Sequence, residues 1–222
     1  MSRTPLILLP GMGADERMFA PQREAFPDLL VPKWITPTPN ESIQSYGKRF
    51  ALQVDPKQPC FVGGASFGGF VAMEMARHLH TLGVFLIGSL RDASELPPKF
   101  RMLKPIRQFL SAMPIAMLGK AAAISVSMTG SLTGPAVKDV AQQLTGADAV
   151  FLRWASQAVL DWEPSPPSPL PPPRVFQIHG EKDPIVSPKL TSPDKIIRGA
   201  GHLITLTHPD EVNTFLGKHM QI

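Results

Sequence analysis

The chain has 222 residues, 43% of them hydrophobic, enough for one domain with a substantial core. Its net charge of +4 is spread singly along the sequence, which fits a solvated surface and not a nucleic-acid face. A single cysteine excludes an internal disulfide and any zinc cluster of several cysteines, and no apolar run approaches the roughly 18 residues of a membrane span.

The first element, "PLILLPG" (5–11), is a short apolar run broken by Pro10 and Gly11. Its apolar core is too short for a signal peptide, so a cytoplasmic location is the simplest expectation. Similar runs follow at "LLVPKWI" (29–35), "CFVGG" (60–64), "VFLIGSL" (84–90), "RVFQIHG" (174–180) and "KIIRGAG" (195–201). Runs apolar on both faces suit strands covered by helices on both sides. Helical patterns occupy 42–53, 67–80 and 209–219, the last opened by Pro209, Asp210 and Glu211, residues suited to a first helical turn. The alternation predicts an α/β fold with a mostly parallel sheet, in a single domain over 1–222.

Residues 91–173 interrupt the alternation. "FRMLKPIRQFLSAM", "AVKDVAQQL" and "AVFLRWASQAVLDW" read as helices of a cap insertion, and the Pro-rich stretch 164–173 reads as a stiff strap returning the chain to the sheet. Met102, Met113, Met117 and Met128, with Phe109 and Leu110, supply helical core or an adaptable apolar cap. "SPKLTSP", joining the last two strands, is too short for more than a turn.

Chemistry gathers at the predicted strand ends. Gly64-Ala65-Ser66-Phe67-Gly68 lies between a strand and a helix, where a sharp turn lifts the Ser66 hydroxyl and Gly64 and Gly68 remove colliding side chains. By itself the pentapeptide also fits a structural glycine-lined turn. A serine nucleophile needs a base and a group that orients the base. Asp183 falls just past one strand and His202 just past the next. The glycine-rich turn after the first strand, together with the start of the helix after Ser66, can offer the backbone N–H groups of Met12 and Phe67 to a developing oxyanion. A dinucleotide turn is the rival reading of "GMGADE", but Glu16 stands where its third glycine belongs. Asp15 and Glu16 suit a first helical turn or the rim of a pocket. Asp92, after an earlier strand, competes with Asp183 for the acid role; Gly180 and Pro184 around Asp183 favour the latter. His78, His80, His179, His208 and His219 show no metal-ligand spacing, so no metal site is expected. Cys60, in an apolar run, reads as a buried, unreactive thiol.

"LLPGMG", "GGASFGG", "HGEKDPI" and "GAGH", in this order, resemble the α/β-hydrolase family over the whole chain apart from the insertion. The resemblance makes "PLILLPG" the family's third strand and implies a minimal fold of about six strands, lacking the usual first two. It implies Ser66 as nucleophile, His202 as base, Asp183 as the acid that orients it, and an acyl-enzyme intermediate without metal or organic cofactor. A serine at position 66 argues against haloalkane dehalogenase and epoxide hydrolase chemistry, which uses aspartate there. The expected activity is a serine carboxylesterase acting on a small-molecule ester with a short-to-medium acyl chain. A thioesterase, an acyltransferase or a carbon–carbon bond hydrolase could use the same groups, and a non-catalytic small-molecule-binding scaffold is the alternative outside enzymology.

Overall fold

In the computed structural model, residues 4–98, 102, 143, 146–166 and 173–221 are described. Six parallel strands form one sheet: β1 (Leu6–Leu9), β2 (Leu29–Leu30), β3 (Cys60–Ala65), β4 (Thr81–Ile87), β5 (Arg174–Gly180) and β6 (Lys195–Ile197). Their spatial order is β2-β1-β3-β4-β5-β6. The helices are α1 (Ala20–Ala25), α2 (Ile43–Val54), α3 (Phe67–Met75), α4 (Ala149–Asp161), α5 (Ile204–Thr207) and α6 (Pro209–Met220), with 3-10 turns at Glu16–Phe19 and Ala93–Glu95. The segment from Ser187 to Pro193, between β5 and β6, is turn and bend without a helix.

Alternation along the strands sorts the core into two layers. Ile7, Leu9, Val62, Val84 and Leu86 pack with residues of α2, α3 and α4. Leu6, Leu8, Phe61, Phe85, Ile87, Phe176 and Ile178 pack on the other face with Met18, Phe19 and residues of α5 and α6. Both faces are covered, which explains why the strands read as continuous apolar runs.

Several boundaries differ from the sequence expectation. The helix after Ser66 ends at Met75 instead of continuing to 80, because Cys60 N–H donates to the His80 carbonyl and β4 begins its pairing with β3 at Thr81. Sheet pairing therefore claims residues that helix periodicity assigned to α3, and His78 and His80 lie in the connecting turn. β4 accordingly runs 81–87 instead of 84–90, and Gly88, just past its end, has a φ of 56°. β2 keeps only two residues of the expected seven: Pro32 follows and cannot donate to a ladder. Of the insertion helices, α4 is present; the patterns at 100–113 and 136–144 lie outside the described residues except Met102 and Gln143. Met113, Met117, Met128, Phe109 and Leu110 also lie outside them, whereas Met102 is 77% exposed. No helix among the described residues is long and apolar enough to cross a membrane.

Candidate active site

Ser66 stands between β3 and α3 with φ of 50° and ψ of −120°, a backbone conformation sparsely populated by non-glycine residues and costly by roughly 1–3 kcal/mol. Its neighbours explain how the turn is tolerated. A Cβ on Gly64 would lie 2.2 Å from the Gly68 carbonyl carbon, and a Cβ on Gly68 would lie 2.2 Å from the Leu9 carbonyl oxygen. Both obstacles are backbone, so neither can move aside. Gly68 thus lets α3 start directly against the end of β1, where the Gly11–Gly13 turn begins.

The ends of β4, β5 and β6 converge on the same place. Ser66 N–H donates to the Ile87 carbonyl at 3.0 Å, and Gly88 N–H donates to the Ile178 carbonyl at 2.9 Å. A Cβ on Gly88 would meet His202 Nδ1 at 3.4 Å and Asp183 Oδ2 at 3.5 Å, so the end of β4 touches Ser66 on one side and the His202–Asp183 pair on the other. His202 Nδ1 and Asp183 Oδ2 are 2.7 Å apart, both residues being buried. The second oxygen, Oδ1, accepts from the N–H groups of Ile185 at 2.8 Å and Val186 at 2.9 Å. Burial alone would raise the Asp183 pKa. The His202 charge and hydrogen bond, with the two backbone donors, outweigh burial and hold the carboxyl below the usual aspartate value. An ionised, doubly anchored carboxylate fixes His202 with Nδ1 protonated and leaves Nε2 as the basic nitrogen. Ser66 Oγ and His202 Nε2 form no direct hydrogen bond in this structure. Such contacts commonly tighten only with substrate present.

Asp92, the competing acid, accepts instead from Ser94 N–H at 2.8 Å and caps the short 3-10 turn that follows. Met12 follows the end of β1, and Phe67 is the first residue of α3. Among the described residues no backbone carbonyl accepts from either N–H. The preceding Gly11 N–H is taken up by the Met18 thioether at 3.2 Å, and Asp15 caps the 3-10 turn through Arg17 N–H at 3.0 Å. Cys60 is buried, and its burial, reinforced by Asp55, pushes the thiol up to about 11, leaving it un-ionised near neutrality.

The sequence did not single out Ser89. Its hydroxyl donates to the Ser66 carbonyl at 2.7 Å, and its own carbonyl accepts from Gln177 Nε2 at 2.8 Å and His179 Nε2 at 3.0 Å. His179 therefore carries its proton on Nε2, and burial lowers its pKa, keeping the ring neutral. No group of three or more His, Cys, Asp or Glu suited to a metal ion occurs among the described residues.

Cavity size points elsewhere. A groove of about 830 Å³ between the 37–44 segment and α4, and a smaller one of about 240 Å³ beside Asp15, Trp34 and Phe151, include neither Ser66 nor His202 in their walls. The strand ends are the better guide, because in open parallel sheets the reacting groups are carried by loops beyond the carboxyl edge.

A model of the alpha/beta hydrolase family matches residues 6–215. No curated protein sequence matches the chain significantly. Among solved structures, an esterase from Thermogutta terrifontis superposes with a TM-score of 0.73 at 16% identity, covering 99% of this chain and 90% of that one. MenH from S. aureus gives 0.74 at 15% identity, covering 100% and 95%. An epoxide hydrolase from Bacillus megaterium gives 0.72 at 13% identity, covering 100% and 94%. At these identities the superpositions establish the fold, which one sheet can lend to different reactions. With the family match spanning nearly the whole sequence, the chain belongs to the alpha/beta hydrolase family.

Proposed function

We propose that the protein is a serine hydrolase that cleaves carboxylic esters with short-to-medium acyl chains. The observation that carries this reading is the buried His202–Asp183 pair, 2.7 Å apart, packed on the end of β4 directly beside the strained Ser66 turn. In the proposed reaction Ser66 Oγ attacks the ester carbonyl as its proton passes to His202 Nε2. Asp183 stabilises the imidazolium that forms. The carbonyl oxygen, now negative, accepts from the N–H groups of Met12 and Phe67. Collapse breaks the bond to the alcohol oxygen, which takes the proton from His202. Water then attacks the acyl-enzyme with His202 again as base, releasing the carboxylic acid and restoring Ser66.

The short-to-medium acyl preference draws on the packing beside the oxyanion residue. The Phe67 ring is buried against Trp34, Phe151 and Trp154, with centroids 5.7 to 5.9 Å away, so aromatic rings already fill that side. A p-nitrophenyl ester series from acetyl to palmitoyl, assayed with wild type and Ser66→Ala, tests the proposal. Turnover should depend on Ser66 and fall for the longest chains, and a fluorophosphonate should add one equivalent to wild type alone. Absence of Ser66-dependent turnover and labelling would refute the hydrolase reading, and a preference for palmitoyl would refute the chain-length part.

A further inference from the structure

We infer that Ser89 is a positioning residue that aims the Phe67 N–H at the oxyanion, an inference that rests on the hydrolase reading above. In a trans peptide the carbonyl of one residue and the N–H of the next lie in one plane and point in opposite directions. The Ser66 carbonyl and the Phe67 N–H share such a unit. Whatever grips the carbonyl also sets the direction of the N–H.

Two donors grip it: Ser89 Oγ at 2.7 Å and Gly69 N–H at 3.0 Å. The second belongs to the first turn of α3 and moves with it. Ser89 lies beyond β4, so it ties the peptide to the sheet. It is itself fully buried, with its carbonyl held by Gln177 and His179 from the neighbouring strand β5, both also fully buried. Two donors on one carbonyl leave Ser89 little freedom.

The approach depends on Gly69. A Cβ there would lie 2.2 Å from Ser89 Oγ and 2.5 Å from its Cβ. Any side chain at 69 would push the hydroxyl off the Ser66 carbonyl. The second glycine of "FGG" is therefore required by the brace, beyond what the nucleophile turn itself demands of Gly64 and Gly68.

An oxyanion donor acts mainly in the transition state. Loss of its aim should therefore lower kcat and leave KM nearly unchanged. The test is Ser89→Ala assayed on a short p-nitrophenyl ester, with inhibition by a trifluoromethyl ketone that forms a tetrahedral adduct. A tenfold to hundredfold loss of kcat, roughly what misaligning one donor would cost, should be matched by a similar rise in the inhibition constant. The acid limb of the pH–rate profile should stay in place, because His202 and Asp183 are untouched. Ser89→Cys, close in size and a weaker donor, should fold and fall between the two even if the alanine variant does not. Wild-type kcat and inhibitor affinity in a folded Ser89→Ala or Ser89→Cys protein would overturn the inference and leave the hydrolase reading standing. A wild type without Ser66-dependent turnover would overturn both.

Discussion

Two buried groups near the candidate site make separable predictions at the residue scale. Asp183 is paired with His202, whereas Asp92 caps a surface turn. Asp183→Asn should lower turnover by roughly three to four orders of magnitude, since an amide can favour the wrong imidazole tautomer. Asp92→Asn should stay near wild type. Steady-state kinetics decide it, and the reverse pattern would transfer the acid role to Asp92. His179 provides a test by stability. Burial lowers its pKa, the His202 charge adds to that effect, and Asp183 and the Ser89 and Val186 backbones oppose it. A histidine whose folded pKa is depressed binds its proton more readily when unfolded. Its stabilising contribution is fully present above the unfolded value of about 6.5 and is lost as the pH falls through the lower folded value. Urea midpoints should therefore drop between about pH 7.5 and about pH 5.5 more steeply for wild type than for His179→Gln. Parallel slopes would mean that His179 takes no part in the linkage.

At the scale of the element, the turn after β5 is built against the turn that carries His202. Lys182 N–H donates to the Ala200 carbonyl at 2.8 Å, and a Cβ on Gly180 would lie 2.0 Å from the Gly201 carbonyl oxygen. Gly180→Ala must separate the two turns and carry His202 away from Asp183. Activity should fall at least about tenfold and stability by roughly 1–3 kcal/mol. Wild-type kinetics would show that the two turns are not rigidly coupled. This level also shows what the sequence could disclose. The strands and their ends were legible because both faces of the sheet are covered, so each strand is an unbroken apolar run ending in turn residues. Boundaries were less legible, because partners set them: β4 starts where Cys60 calls for a neighbour, and β2 stops short of Pro32. Asp15 and Glu16 marked the start of the helical segment at 16–25, but its extent carried no readable period, since it is short, split between 3-10 and α geometry, and buries Gln22 as well as Met18 and Phe19. α5, at four residues, carries no readable period. Ser89 was invisible for a different reason. Its meaning lies in contacts with Ser66 and Gln177, 23 and 88 residues away, which no local pattern encodes.

For the whole molecule, the question is how the described part of the insertion is fastened to the hydrolase body. α4 is joined by an aromatic seam: Phe151 stacks on Trp34 at 4.9 Å, Trp154 lies 4.4 Å from Tyr46, and Trp154 Nε1 donates to the Glu41 carbonyl at 2.6 Å. Beyond α4 the fastening is polar. Glu74, buried on α3, accepts from Trp162 Nε1 at 3.0 Å, Ser165 N–H at 3.2 Å and Ser165 Oγ at 2.6 Å. One carboxylate on the helix that starts at the Ser66 turn thus satisfies three donors from the segment following α4. Glu74→Ala would strand those donors, at a cost of about 2–4 kcal/mol. Glu74→Gln, which keeps the shape and one acceptor oxygen, should recover part of that loss. The readout is unusually direct, because all three tryptophans of the chain, Trp34, Trp154 and Trp162, lie along this seam. Opening it should shift intrinsic fluorescence to the red below the global unfolding midpoint in Glu74→Ala. Glu74→Gln should show a smaller shift. If emission and unfolding coincide in both variants, with midpoints equal to wild type, Glu74 is not what holds the insertion against the body.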